Sequence, residues 1–400
     1  MSATTAAALA DDLEAMGCRL AAWLAADASS SSMGTVGVPV SQVARSASFA
    51  GLESSVPSEP SAPADMSGQR ASPASAGHCE LKPATGGFSN QTCVGTWHPP
   101  GAASIPIVLR LQSATPTVFP DPTINRQVRV MQALAGTAVP VPRLLGREED
   151  ADVLDAPFVV MQRVPGRVPQ ENPLYHLEGW FHDLDSAAQR RHWFSGIDTL
   201  AAIAQVDWQA GGLDFLAPPP GVSVLEQQFQ TWTHMLQWVE AGARPYPHLH
   251  TALAWLRHHA PPPGPVSLSW GDAKLGNCVF NAQGRVAAAL DWEQATLAHP
   301  VDDLAWWLML DECLSDGYGV ARLGGLPTRQ ETVAHWERAS GLRADDLHFY
   351  EVFAAWRMAL IMARIGTLFT LRGWVDAQAQ MDVRNGAATL LSRHAQHLGF

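Results

Sequence analysis

Four polar residues constrain this chain more tightly than anything else in it. Asp272, Lys274, Asn277 and Asp291 occur in SWGDAKLGNCVF and the following AALDWEQATLAHPVDDLAWW, at offsets of 0, +2, +5 and +19. Apolar runs over 268–270 and 279–290, with a turn at 281–284, read as short strands that frame this segment. Phosphoryl transfer needs a carboxylate to orient an attacking hydroxyl or take its proton, and oxygen ligands that hold Mg2+ against the phosphates. On that reading Asp272 is the base, Asn277 and Asp291 are metal ligands, and Lys274 neutralises charge on the group in transit. Taken singly, each residue has a plainer meaning. An Asp after Gly usually forms a turn, and a lysine is usually a solvated cation. The ordered set argues for chemistry, and so does the scarcity of lysine, since Lys82 is the only other one.

The rest of the chain divides by pattern. Residues 6–26 have the period of one amphipathic helix, and 29–77 are rich in Ser, Ala, Pro and Gly, which predicts a disordered insert. From Thr85, GGFSNQTCVGT and PIVLRLQ read as strands joined by a turn at 98–103. Ile124, Val128, Met131 and Leu134 have helical spacing, VPVPRLLG interrupts it, and PFVVMQRV reads as another strand. Beyond Gly166 the pattern turns helical and tryptophan-rich, with helices near 186–205, 224–241 and 249–259 and again towards the C terminus. The expected architecture is α+β and bilobal, with an N-terminal helix over 1–28, the insert over 29–77, a sheet-rich N-lobe over 78–163 and a helical C-lobe over 164–400.

Composition removes several classes of function. Hydrophobic residues make up 47% and charged residues 16%, and no uninterrupted apolar run reaches bilayer length, so a soluble chain with no membrane partner is expected. The first residues are acidic and amphipathic, unlike a secretion signal. Five cysteines are odd in number and scattered, without the close pairs of a zinc site or disulfide framework, which fits a reducing cytoplasm. A formal charge of −12 argues against nucleic acid as a partner. Oligomeric state is not legible.

The segment around Asp272 and Asp291 resembles the H-G-D-x-x-x-x-N and D-W/D-F elements of the aminoglycoside-phosphotransferase and choline-kinase superfamily, relatives of protein kinases. In order along roughly 81–310, GGFSNQT resembles that superfamily's nucleotide loop, VPVPRLL its connector and PFVVMQRVPG its hinge. The wording is most similar to kinase-like proteins related to domains of acyl-CoA dehydrogenase fusions. The resemblance implies a bilobal protein kinase-like fold, ATP or GTP as co-substrate, Mg2+ as cofactor and a small hydroxylated molecule as acceptor. It places Gly86, Gly87, Ser89 and Asn90 at the phosphates, although two glycines also mark any hairpin and Ser89 and Asn90 also cap turns. It places Arg110 on the α and β phosphates and Gln127 where an acidic residue orients that cation, and it sets the purine against Met161 to Arg163.

Three positions depart from the pattern. Gln127 cannot form an ion pair, Trp270 stands where a loop histidine is usual, and His299 stands where an Asp commonly precedes the proline. Loss of the histidine is expected to loosen the catalytic loop. These departures motivate a second expectation, a nucleotide-binding pseudokinase that regulates or scaffolds a partner. Asp303 is expected to cap a helix and tie down the metal loop, and Trp306 and Trp307 to be core. Asp311, Glu312 and Asp316 either meet a cationic acceptor or form a solvated helix face.

Overall fold

The computed structural model describes residues 3–31, 77–84, 90–114, 117–121 and 124–400. Most of the insert expected over 29–77 lies outside the described residues, as do Gly86, Gly87 and Ser89. Two units share the chain, one of residues 1–81 with 96–105 and one of residues 82–95 with 106–400.

In the smaller unit, helix α1 (Ala3–Ser31) is longer than the expected 6–26 and buries Leu20, Ala21 and Leu24. Strand β1 (His78–Pro83) neighbours strand β2 (Gln91–His98). β1 was not anticipated, because its apolar positions are only Cys79 and Leu81. Both are buried, while His78 and Glu80, which alternate with them, face outward, the period of a one-sided strand.

The larger unit begins with sheet. Strand β3 (Ile105–Leu111) pairs antiparallel with β5 (Phe158–Gln162), which pairs antiparallel with β4 (Leu144–Glu148). β5 is buried at Phe158, Val159, Val160 and Met161 and is a continuous apolar run, as a covered inner strand requires. β4 was expected only as a connector, because two prolines sit just before it; the strand starts once they are passed. Helix α2 (Asn125–Leu134) buries Val128, Met131 and Leu134 at helical spacing.

Helices then dominate: α3 (Ser186–Ala204), α4 (Val224–Ala241) and α5 (Pro247–His258), each close to its expected span. Asp185 and Ser223 start α3 and α4 by accepting from the backbone N–H of Ala188 and Glu226. Four short strands follow, with β6 (Ser267–Ser269) pairing with β9 (Thr296–Ala298) and β7 (Cys278–Phe280) pairing with β8 (Val286–Ala289). The chain then forms α6 (Asp302–Leu314), α7 (Arg329–Ser340), α8 (Leu347–Leu371) and α9 (Gly386–Leu398). The α+β architecture is thus the one expected, sheet first and helices after.

α8 is long and apolar enough to cross a membrane, a stretch the sequence reading did not single out, yet 67% of that stretch is buried inside the protein. Its Arg357 explains the placement. The guanidinium donates to both oxygens of Asp302 at 3.1 and 2.8 Å in a fully buried fork that joins α8 to the start of α6. α8 is therefore a core helix, and the pair fixes the level at which α6 begins, next to the loop described below.

Candidate active site

β6 delivers the chain to Trp270, Gly271 and Asp272. Gly271 takes φ +84°, and a Cβ there would stand 2.3 Å from the Gln294 carbonyl oxygen, so this turn admits no side chain. Asp303 holds the turn: its carboxylate accepts from Ser269 Oγ at 2.8 Å, Trp270 N at 2.7 Å and Gly271 N at 3.0 Å. Burial, with the adjacent Asp302 carboxylate, pushes Asp303 up to about 6 against the pull of these donors. Asp303 is not the helix cap that the sequence suggested, since Val301 occupies that position and makes no side-chain cap bond. Its bonds go instead to the segment that carries Asp272.

The Asp272 carboxylate is held from three sides. Asn277 Nδ2 donates to Asp272 Oδ2 at 2.9 Å and to its main-chain oxygen at 2.9 Å. Trp306 Nε1 donates to Oδ1 at 3.2 Å, and Lys274 Nζ stands 3.5 Å from Oδ2. Lys274 also donates to Glu171 Oε2 at 3.1 Å. Burial pulls the Lys274 ammonium down, but the Asp272 and Glu171 carboxylates outweigh it and its pKa is raised. Lys274 is therefore a fixed cation beside the carboxylate and no proton acceptor.

The β7–β8 hairpin returns the chain to the same place. Leu290 N donates to the Asn277 carbonyl oxygen at 2.9 Å, which sets Asp291 next to the Asn277 turn. Asp291 adopts φ +63°, left-handed backbone that a non-glycine residue occupies at a cost and that clusters at functional sites. Arg110, from β3, donates Nη1 to Asp291 Oδ1 at 2.9 Å and places Nη2 3.5 Å from Glu293 Oε2. Among the described residues nothing donates to Asn277 Oδ1 or Asp291 Oδ2. Two such oxygens on adjoining segments are the donor type that a hard divalent cation takes, so these residues fit Mg2+.

Trp270 is fully buried, stacks on Trp292 with ring centroids 5.5 Å apart, and donates Nε1 to the Leu290 carbonyl oxygen at 2.8 Å. The loosening expected from loss of a histidine is countered by this indole bond. Gln127 is buried on α2. Its Nε2 donates to Met131 Sδ at 3.9 Å, and its Oε1 has no partner among the described residues, so it accepts nothing from Arg110. Asn90 Oδ1 accepts from Ser113 N at 3.1 Å, a brace between sheet segments. Met161 is buried opposite Val108, and the exposed Arg163 donates its backbone N–H to Pro106 O at 2.9 Å, so these two lie at the end of β5 where the chain leaves the sheet.

Three contributors went unrecognised in the sequence. Glu293 lies in the turn between β8 and β9, two residues after Asp291, and carries no periodic signal. Trp306 is core, but its indole N–H also reaches Asp272. Glu171 lies in a loop after β5 and carries no local signal. Two of the three acids beyond the metal segment have internal partners: Asp311 accepts from Tyr175 Oη at 2.8 Å and Arg322 Nε at 2.5 Å, and Asp316 pairs with Arg393, while Glu312 is exposed on α6. Neither Asp311 nor Asp316 is free to meet a cationic acceptor. A cavity of ≈ 760 Å³ opens beside the Gly271 turn, lined by Gly271 and Glu293 together with Phe215, Trp232, Arg126 and Arg129.

The model of the phosphotransferase enzyme family matches residues 80–342. Mouse acyl-CoA dehydrogenase family member 10 is 30% identical over 267 residues, 64% of this chain and 24% of the relative. Human acyl-CoA dehydrogenase family member 11 is 26% identical over 258 residues, 62% of this chain and 32% of the relative. The chain thus spans from 24% to 32% of the length of these curated relatives. Among solved structures, a Ralstonia eutropha protein assigned provisionally as an aminoglycoside phosphotransferase is 28% identical with a TM-score of 0.61, over 78% of this chain and 91% of that one. An APH(2") protein solved with GDP and kanamycin is 13% identical with a TM-score of 0.50, over 76% of this chain and 91% of that one, a likeness of fold alone.

Proposed function

Because the chain belongs to the phosphotransferase enzyme family, we propose that it is a small-molecule kinase that moves the γ-phosphoryl group of ATP or GTP onto a hydroxyl of a small molecule. The observation that carries this reading is the Asp272 carboxylate, fixed by Asn277, Trp306 and Lys274 in a loop that also brings Asp291 close. The neighbour solved with GDP and kanamycin supports a nucleotide and a hydroxylated molecule as the substrate pair.

The acceptor enters the cavity beside Gly271, and its hydroxyl meets Asp272. As the hydroxyl oxygen bonds to the γ-phosphorus, the bond from that phosphorus to the bridging oxygen breaks, the nucleoside diphosphate leaves, and Asp272 takes the hydroxyl proton. Lys274 offsets the negative charge on the moving group, and Arg110 contributes a second cation. Asn277 and Asp291 would hold Mg2+, which neutralises phosphate charge and aligns the phosphates when bound. The cavity lining mixes Arg126 and Arg129 with Asp121 and Glu293 around Phe215 and Trp232, which suits an acceptor with an apolar body and several polar groups. A second reading, the nucleotide-binding pseudokinase, draws on the failure of Gln127 to engage Arg110.

The test uses purified protein, Mg2+, γ-labelled ATP or GTP, and a pool of hydroxylated acids, sugars and aminoglycosides, with Asp272→Asn in parallel. Labelled product is expected from the wild type and about 1,000-fold less from the variant, the scale of a lost general base, with nucleotide binding kept by both. Nucleotide binding by the wild type with no product across the pool favours the pseudokinase.

A further inference from the structure

We propose that His78, Glu80 and His98 form a binding site for a divalent transition metal, Zn2+ before others, on the outer face of β1 and the end of β2. All three residues belong to the smaller unit. His78 and Glu80 are two apart on β1 and share its exposed face, with Cys79 and Leu81 buried behind them. On the neighbouring strand Trp97 is buried and His98 faces the other way, towards the same pair. The strands are close here: Gly77, at φ +77°, runs so near that a Cβ would lie 2.0 Å from the His98 carbonyl oxygen.

The side chains are arranged as a chelate. The rings of His78 and His98 lie parallel, with centroids 4.2 Å apart and planes 10° apart. Nε2 of each stands 3.9 Å from the same Glu80 oxygen, and the three ligand atoms fall within 4.8 Å of one another. Ligand atoms bound at zinc distances stand about 3.3–3.6 Å apart in a tetrahedron, so shifts of about 1 Å in these side chains close the set around an ion.

His98 supplies the observation that separates this cluster from an ordinary polar surface. Its Nδ1 is bonded to Ser104 Oγ at 2.8 Å, while its Nε2 is buried without a hydrogen-bond partner among the described residues. The bond to Ser104 fixes the ring with Nε2 towards Glu80; in the tautomer that carries its proton on Nδ1, the Nε2 lone pair is open to an ion, which is how outer partners prepare a metal-ligating histidine. A bound ion would occupy that lone pair. Two imidazoles and a carboxylate suit zinc and leave a fourth position for water, whereas Mg2+ prefers an all-oxygen shell. Binding would pin β1 to β2.

Metal-free full-length protein is titrated with ZnCl2 by calorimetry in excess Mg2+, which keeps the Asn277–Asp291 region from competing. One equivalent of zinc is expected. His98→Ala and Glu80→Gln should each weaken binding by about 100-fold, and Ser104→Ala by about tenfold, the range for losing a supporting bond. The variants should keep the wild-type circular dichroism. Absence of zinc binding, or wild-type zinc affinity in His98→Ala and Glu80→Gln, overturns the proposal. Wild-type protein loaded with Co2+ gives a check that needs no variant: a tetrahedral visible spectrum without thiolate charge transfer is expected, and a thiolate band would assign the ion to cysteine and overturn the site.

Discussion

The Asp272 loop and helix α2 both bring buried polar groups to the candidate site, and they treat them differently. Around Asp272 both carboxylate oxygens are bonded, the turn before it has three bonds to Asp303, and Trp270 ties the loop to Leu290. On α2, the buried Gln127 has, among the described residues, only a weak hydrogen bond to sulfur, and its Oε1 is left without a partner. A satisfied network imposes one geometry, and an orphaned acceptor imposes none while costing about 1–3 kcal/mol. The contrast follows the demands of the proposed chemistry. A base must be placed to within a fraction of an ångström, whereas Arg110 takes its position from Asp291 and Glu293 and has no need of a helix partner.

If the loop is over-determined, its hub should be the most costly residue to remove after the base itself. Asp303→Ala leaves Ser269 Oγ, Trp270 N and Gly271 N buried without an acceptor, a loss of about 3 kcal/mol or more in unfolding free energy, with transfer falling further than nucleotide affinity. Denaturant unfolding and initial rates read the two effects, and a variant of wild-type stability would mean the loop stands without its hub. Asp303 also sets a pH dependence. Its folded pKa of about 6 lies above the ordinary 3.8, so its protonation favours the fold at low pH, and that contribution fades as pH rises from about 4 through about 6. The melting temperature of the wild type relative to Asp303→Asn should therefore decline across that window; a constant difference would place the Asp303 pKa at its ordinary value.

How much of this was legible follows the same division. The helices α3 to α5 and the order of sheet and helix were readable because apolar periodicity extends over many residues. β1, β4 and β9 were not, being three to six residues long and set against prolines or a low-complexity stretch. At the candidate site, Asp272, Lys274, Asn277 and Asp291 were singled out by spacing within one segment, and the structure gathers them with Arg110. Glu171 is 103 residues from Lys274, and no local pattern encodes such a contact. Asp303 and Trp306 were seen but given plainer roles, because only the folded chain shows where their polar atoms point.

Trp270→Phe tests the tie between loop and hairpin. The change keeps an aromatic ring against Trp292 but removes the donor to the Leu290 carbonyl oxygen and some packed volume. An unfolding free energy lower by about 1–3 kcal/mol is expected, from one lost bond and a small cavity. Because Leu290 precedes Asp291, the rate at saturating substrate should fall by about tenfold while the Mg2+ concentration for half-maximal rate rises. Unchanged magnesium dependence would confine Trp270 to packing.

The smallest effect is expected on α2. Gln127→Leu replaces a buried amide that has one weak bond and one orphaned oxygen with an apolar side chain of similar size. Removing an unsatisfied acceptor is neutral or stabilising, here by about 0–1 kcal/mol, and the KM for nucleotide should stay within about twofold of wild type, since Arg110 is held from the other side. The pairing of these outcomes matters more than either alone. A rise in stability with an unchanged KM means that the helix partner of the phosphate cation has become core, its task passed to Asp291 and Glu293. A tenfold rise in KM would instead mean that Gln127 turns towards Arg110 when nucleotide binds, and the two regions would then be equally engaged in the reaction.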